Sequence, residues 1–328
     1  MFGLFNKKQP IERDLFEGHP LGEDGFHALL ANNWHRLGEL YQGQTASDRY
    51  HWIQMLGMAM PLDQELPDTF PTAGCWTISG GLSICRAARV RGSGIADTVD
   101  EDAALDMFRN ARAAYAALDR ALELEPNDST SFAWYFRAMT AACDHSNLKD
   151  SLLEQLHQTD ETTVFAPFDL MIYSTAKWMG SREDMWHVAN HYTQAPPNSA
   201  WLALNARAMI EDWLWFSAFE DDKDAKKAYS DYRYSPQYRK DITALNDAFW
   251  AGLEDDWADI PRAEIMLAHN TFGFLTYRAG LHELAAAHME RIGQHVSPMP
   301  WGYLHRSDDL MKEWNKTRKS VGLEGFYA

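Results

Sequence analysis

The chain has 328 residues, of which 46% are hydrophobic and 23% charged, and this is the composition of a folded protein and not of a disordered one. Its formal net charge of −17 repels phosphate backbones and anionic lipid, which argues against nucleic acids and membrane surfaces as partners. The same acidic surface suits a basic protein partner, although it also serves solubility alone.

Residues 1–12 are predicted to form a flexible N-terminal tail. Their apolar stretch is too short for a signal peptide. Residues 13–328 predict a single all-helical domain, in which no apolar run approaches the ~18 residues of a membrane span. Cys75, Cys85 and Cys143 are widely spaced, which predicts neither a disulfide framework nor a zinc site. Together these features predict a cytoplasmic protein.

Apolar residues recur every three or four positions through most of the chain, which predicts amphipathic α-helices packed on one another and essentially no β-sheet. The clearest sets are Leu105, Phe108, Ala111, Tyr115, Leu118 and Leu122; Leu202, Ala206, Met209, Trp213 and Phe216; and Ile242, Leu245, Phe249 and Leu253. Prolines fall between such sets, because a proline inside a helix loses a hydrogen bond. We therefore predict an all-α protein of about 12–14 helices.

Local signals mark where several of these helices begin and end. Ser181 followed by Asp184, and Thr98 followed by Glu101, have the spacing of a capping box at a helix start. The glycines of RGSG at 91–94 predict the end of a helix.

Three pieces of the chain carry the spacing of a tetratricopeptide hairpin. The first is WHRLGELY, with Trp34, Leu37, Gly38 and Tyr41; the second has Ala114, Leu118, Ala121 and Pro126; the third has Phe272, Gly273, Gly280, Ala285 and Met289. The sequence thus resembles the tetratricopeptide superfamily in a degenerate form. The stretch RAARVRGSGIADTV, followed by a helix that ends in ALELEPND, is also similar to a bacterial family with tetratricopeptide-like helices. The resemblance implies an irregular α-solenoid of stacked helical hairpins.

The first piece makes a specific packing prediction. Trp34 and Leu118 should be buried between helices. Gly38 should lie where a neighbouring helix passes close, since glycine inside a helix costs ~1 kcal/mol relative to alanine. The natural partner is the next helix, expected over about Ser47 to Met60.

Arg86, Arg89 and Arg91 stand together on a helix whose other residues are apolar. Arginine holds a carboxylate through two hydrogen bonds, so this basic patch is a candidate site for a carboxylate-bearing peptide. The alternative is structural, with the same arginines paired to acidic residues of the adjacent helix.

Glu183, His187 and His191 are the candidate metal ligands, because steps of four residues place all three on one face of a helix. Val188, however, stands where a zinc protease carries its general base. Thirteen histidines in the chain also make a chance pair at this spacing unremarkable. We therefore expect no resident metal and no other cofactor.

Four aromatic residues are candidate ligand contacts: Trp186, Trp215, Trp301 and Tyr303. Most tryptophans of a helical repeat anchor its packing, but one on the concave face would be a binding hot spot. Trp215 lies off the buried stripe of its helix. Residues 298–306 are predicted to form a loop that can close over a groove.

The sequence patterns of the common enzymes are absent, including G-x-S-x-G, G-x-x-x-x-G-K-[ST] and G-x-G-x-x-G. We therefore expect a non-enzymatic helical scaffold that binds a protein or peptide, with a basic protein as one such partner. The alternative is a metal-dependent enzyme or metalloprotein centred on Glu183, His187 and His191.

Overall fold

The structure is a computed structural model that describes residues 14–92, 99–144, 146, 148–159, 162–256, 259–304 and 309–326, with the backbone alone for 254–256. Within these residues the chain forms sixteen α-helices, one 3₁₀ turn at Ser199–Leu202 and no β-strand. The helices are α1 (Gly22–Leu30), α2 (Trp34–Gln42), α3 (Ala46–Ala59), α4 (Ala73–Arg91), α5 (Glu101–Leu124), α6 (Ser129–Ala142), α7 (Leu148–Leu156), α8 (Phe165–Tyr173), α9 (Arg182–Thr193), α10 (Ala203–Ala218), α11 (Lys223–Arg233), α12 (Pro236–Asp256), α13 (Arg262–Arg278), α14 (His282–Ile292), α15 (Pro298–Trp301) and α16 (Leu310–Ser320).

The predicted all-α class is confirmed. The helices outnumber the predicted count because short ones, such as the four-residue α15, are too short to show an apolar period. In the described part of the chain, no helix combines the length and the apolar composition that a membrane crossing requires.

Local signals place two helix ends as predicted. Ser181 caps α9, since its Oγ accepts a hydrogen bond from the amide of Asp184 at 3.0 Å. Gly92 ends α4 with a φ of 70°, a left-handed conformation that favours glycine. Thr98 lies outside the described residues, and α5 is capped by the side chain of Asp100.

α5 packs along α4, but it buries only part of its predicted stripe. Leu118 is fully buried over Gly80, where an added Cβ would lie 2.7 Å from the Leu118 Cγ. Leu105 and Phe108, by contrast, are 55% and 41% exposed. The prediction was wrong for them because steps of thirteen and ten residues place Leu105 and Phe108 about 140° and about 80° around the helix from Leu118.

α2 makes its main contacts with α1 and with the beginning of α4, and not with α3. A Cβ on Gly38 would lie 3.1 Å from Sγ of Cys75 and 3.3 Å from Oγ1 of Thr72. Trp34 is buried, and its carbonyl accepts a hydrogen bond from the Cys75 thiol at 3.1 Å. The predicted close approach at Gly38 is confirmed, but the predicted partner is wrong, because the connection after α3 returns α4 onto α2.

α13 and α14 form a helical hairpin at the third tetratricopeptide-like piece. Phe272, Ala285 and Met289 are fully buried. Gly280 makes the turn with a φ of 72°. A Cβ on Gly273 would lie 3.2 Å from Cβ of the facing residue on α14, so the missing side chain lets the two helices approach closely.

The buried apolar side chains form two clusters, one mainly from α1–α9 and the other mainly from α10–α16. Trp186 on α9 packs against both clusters. The clusters meet around α8, α10 and α13, and the helices enclose a cavity there.

Candidate functional site

The cavity between the two clusters has a volume of 320 Å³ and is lined by side chains of α3, α4, α6, α8, α10 and α13. Ligand sites in proteins typically occupy about 300–1,000 Å³, so this cavity is large enough for a small molecule or the end of a chain. The lining residues of each helix follow its period. α8, for example, contributes Phe165, Phe168, Asp169 and Ile172, which share one face.

Tyr50, Arg137 and Asp169 form a hydrogen-bonded group in the cavity wall. The Tyr50 hydroxyl donates to Oδ2 of Asp169 and accepts from Nη1 of Arg137 at 2.8 Å. The Tyr50 ring is stacked between the rings of Trp134 and Phe165, with centroid separations of 4.5 Å and 4.3 Å. The aromatic stack therefore holds the hydroxyl in place between the two charged groups.

The environment of this group decides which of its members are charged. Burial raises the pKa of Asp169 to about 6, although Arg137 and the Tyr50 hydroxyl favour its charged form. Burial also raises the pKa of Tyr50 well above its ordinary value, in spite of the nearby Arg137. Burial opposes the charge of Arg137, but Tyr50 and Asp169 outweigh it and raise the pKa of its guanidinium. At neutral pH the tyrosine is neutral, the arginine is charged and the aspartate is mostly charged.

Arg207, Lys177 and Tyr303 surround the buried carboxylate of Glu211. Oε1 of Glu211 accepts from Nε of Arg207 at 2.9 Å and from the Tyr303 hydroxyl at 3.1 Å. Nζ of Lys177 lies 2.5 Å from Oε2. Burial would raise the pKa of Glu211, but Arg207 and Lys177 hold it below its ordinary value. The two cations thus share one charged partner.

Arg137 differs from Arg207 in having no such partner. Among the residues that the structure describes, no carboxylate oxygen lies within 4.0 Å of the Arg137 guanidinium, and its hydrogen bond to Tyr50 is the only one it makes. A guanidinium carries several N–H donors, so most of those on Arg137 have no protein acceptor there. Arg137 keeps part of its surface accessible, and that surface lines the cavity.

The cavity opens to solvent where its lining residues are exposed, at Ala88, Gly92 and Met299. Arg91 stands beside this opening, with its guanidinium 5.7 Å from the centroid of the Trp178 ring. The mouth is therefore lined by a cation, an aromatic ring and a flexible thioether.

The three arginines predicted as a patch have different roles in the structure. Arg89 donates to the backbone carbonyls of Gly57 and Met60, and Arg86 donates to another carbonyl after α3. Arg86 and Arg89 thus donate hydrogen bonds to backbone carbonyls at the end of α3 and beyond it. This structural role explains the two arginines without a ligand or an acidic partner. Arg91 is the one member of the patch that lines the cavity.

The structure places the four aromatic candidates in different environments. Tyr303 lines the cavity. Trp186 and Trp215 are half-buried, and each donates its indole N–H to a carboxylate. Trp301 is fully buried in the second core cluster, at the end of the short and kinked α15, so it anchors packing there. His305, in the same predicted loop, lies outside the described residues.

Glu183, His187 and His191 are exposed along α9, and the two histidine rings have a centroid separation of 6.4 Å. Within the described ranges, no group of three or more His, Cys, Asp or Glu side chains is arranged to hold a metal ion. The metal hypothesis therefore gains no support from their placement.

Arg137, Asp169 and Arg207 were not among the predicted site residues. Arg137 is the one charged residue of α6, STSFAWYFRAMTAA, and Asp169 is the one charged residue of α8, FAPFDLMIY. A charge within an apolar helix is costly to bury unless it is paired, so a lone charge of this kind is the sequence signal that could have found them.

Comparison of the chain with protein-family models, with curated proteins and with solved structures finds no match. The function must therefore be inferred from the geometry of the cavity and the chemistry of its side chains.

A second buried polar cluster lies apart from the cavity, where His269 of α13 faces His288 of α14. Their Nδ1 atoms are 2.9 Å apart, and Nε2 of His288 is 2.8 Å from Oδ1 of Asn246. Since that amide oxygen only accepts, His288 carries its proton on Nε2 and accepts from His269 at Nδ1. Burial lowers the pKa of His269 to about 4 and that of His288 well below its ordinary value.

We expect this histidine pair to make the protein less stable as the pH falls from about 6.5 towards 4. In that window the unfolded chain binds protons that the folded pair does not, so each histidine lowers the free energy of unfolding by about 1–2 kcal/mol at about pH 5. Asp169 acts in the opposite direction, because its pKa of about 6 lets the folded state take up a proton first. Urea midpoints measured between about pH 7 and pH 5 test the net fall.

A variant identifies the source of this pH dependence. His269→Phe should make the stability less dependent on pH, whereas the exposed His35→Asn should leave the dependence as it is. The assignment to the buried pair is wrong if both variants keep the wild-type dependence.

Proposed function

We propose that this chain is a non-enzymatic binding protein whose ligand enters the cavity between its two core clusters. The cavity of 320 Å³ carries the proposal, because mostly apolar walls surround a guanidinium, that of Arg137, whose donors lack protein acceptors. The accessible part of this guanidinium lines the cavity, so a bound molecule can accept the hydrogen bonds that the protein does not.

The apolar part of the lining supports a ligand with an apolar body. Met55, Met266, Phe165, Phe168 and Ile172 contribute to it. Methionine side chains adapt to irregular shapes, and aromatic rings supply large contact areas, so such walls suit a molecule that is buried for most of its surface.

We also propose that the helices form an irregular α-solenoid related to the tetratricopeptide superfamily. The hairpin of α13 and α14 supports this, with Gly273 and Ala285 at the positions where two helices approach closely. In this proposal the enclosed side of the helical stack takes the end of a peptide or a small molecule of similar width.

The net charge of −17 favours a second candidate, a basic protein that binds the outer surface. Such a complex would form faster at low ionic strength and would weaken steeply as salt is added.

Calorimetric titration with four probes tests the cavity proposal. The probes are 4-phenylbutanoate, 4-phenylbutanamide, N-acetyl-leucyl-phenylalanine and the C-terminal amide of that dipeptide. We expect saturable binding of at least one probe. Ala141→Phe, which places a ring on the cavity wall, should abolish that binding, whereas Ala113→Phe on the exposed face of α5 should not. The proposal fails if no probe binds or if both variants bind like the wild type.

A further inference from the structure

We infer that the ligand is a carboxylic acid with an apolar body, and that Arg137 at the wall of the cavity binds its carboxylate. This inference rests on the proposed function, since it names the chemical class of the molecule that the cavity takes.

The cations around the cavity are unequally paired. Glu211 forms ion pairs with both Arg207 and Lys177. Nη2 of Arg207 lies 2.6 Å from its Oε1, and Nζ of Lys177 lies 2.5 Å from its Oε2. Arg137 has the hydroxyl of Tyr50 and, among the described residues, no carboxylate within 4.0 Å. Of the three cations, Arg137 therefore has the most to gain from an anion in the cavity.

The shape of the Arg137 guanidinium also matches a carboxylate. A guanidinium is planar and presents parallel N–H donors, which match the two oxygens of a carboxylate. Tyr50 already uses Nη1 of Arg137, and the ring of Trp134 lies 5.4 Å below the guanidinium carbon. These two contacts restrict the side chain, and its accessible surface lines the cavity.

The charge balance favours a carboxylate over a phosphate. A phosphate ester carries close to two negative charges at neutral pH. The described lining offers one deep cation without a carboxylate partner, Arg137, and a second, Arg91, only at the mouth. Asp169 lies beside Arg137 and would repel a second negative charge. A single carboxylate is the anion that fits this arrangement.

The same four probes test the inference, because each acid has an amide of nearly equal size. We expect each acid to bind at least about tenfold more tightly than its amide, the effect of a hydrogen bond to a charged group. Arg137→Gln should remove that difference, and Arg137→Lys should restore part of it. Arg109→Gln removes an equal charge from an exposed site on α5 and should leave the preference for acids unchanged.

Asp169→Asn provides an independent test, because it removes the negative charge beside the anchor and keeps an oxygen for the Tyr50 hydroxyl. The acids should bind this variant at least as tightly as the wild type. The two acids are also compared with each other. If N-acetyl-leucyl-phenylalanine binds more tightly than 4-phenylbutanoate, the carboxylate comes from a peptide C terminus; if 4-phenylbutanoate binds more tightly, it comes from a free acid.

The results separate the two proposals. If acids and amides bind equally and Ala141→Phe abolishes both, the cavity is a binding site but the carboxylate inference is overturned. If Arg137→Gln keeps the preference for acids, or if Asp169→Asn weakens acid binding, the inference is overturned as well. If no probe binds, the proposed function fails first. Thermal melts of each variant show whether it is folded, and the comparison of acid with amide on the wild type needs no variant at all.

Discussion

Glu264→Ala is expected to lower the free energy of unfolding by about 3–5 kcal/mol, because several buried donors lose the carboxylate that accepts their hydrogen bonds. Glu264 is 2% exposed at the start of α13. Its Oε1 accepts hydrogen bonds from Oγ of Ser47 at 2.5 Å and from the amide of Val164 at 3.3 Å. Its Oε2 accepts from Nδ2 of Asn198 at 2.9 Å and from Nε1 of Trp201 at 3.1 Å.

The size of this effect follows from what the alanine variant leaves behind. The Ser47 hydroxyl still has Oγ1 of Thr163 within 2.8 Å, but the donors of Val164, Asn198 and Trp201 lose their acceptor together. Each buried donor without a partner costs about 1–3 kcal/mol. Urea unfolding of Glu264→Ala measures the loss, with the exposed Glu283→Ala on α14 as the matched control. Equal midpoints for the two variants would show that the network does not hold these segments together.

Leu118→Ala should cost about 2–5 kcal/mol, as truncations of buried leucines do. Leu118 is fully buried and covers the glycine at position 80 of α4, where no side chain competes for the space. The alanine variant leaves a void between two long helices that cannot close without moving one of them.

Leu105→Ala is the control for this experiment, because it makes the same change on the same helix at a side chain that is 55% exposed. Its effect should stay within about 0.5 kcal/mol. A loss below that value for Leu118→Ala, or equal losses for both variants, would contradict the packing of α5 on α4.

Features that depend on residues within one or two turns could be predicted from the sequence. In the predicted stripe of Ile242, Leu245, Phe249 and Leu253, Leu245 is partly buried and the other three are buried. Ser181 caps α9, and Gly92 follows the last turn of α4. In each case the interacting groups are neighbours along the chain, so the local sequence contains all the information that the interaction needs.

Which helices pack against each other was harder to predict from the sequence. WHRLGELY correctly predicts a close approach at Gly38, because glycine inside a helix needs a packing reason. It cannot say which helix approaches. The residues that do so, Thr72 and Cys75, come after α3 and the connection that follows it, and the path of that connection is decided by the packing of the whole first cluster.

The candidate site depended almost entirely on contacts between distant residues. Arg86, Arg89 and Arg91 looked equivalent in the sequence, but only Arg91 lines the cavity. Arg137 and Asp169 were recognisable as lone charges in apolar helices. Their partnership was not, because the hydroxyl between them belongs to Tyr50, 87 residues before Arg137.

By itself, then, the sequence determined an all-α protein with its caps and most of its buried stripes, because helical period and capping are local properties of the chain. Only the tertiary structure decided that α4 covers α2, that Glu264 joins a residue 217 positions away, and that Arg137 faces a cavity without a carboxylate partner. These outcomes depend on where whole helices come to rest, which is set by the sum of many weak packing contacts and by no single stretch of sequence.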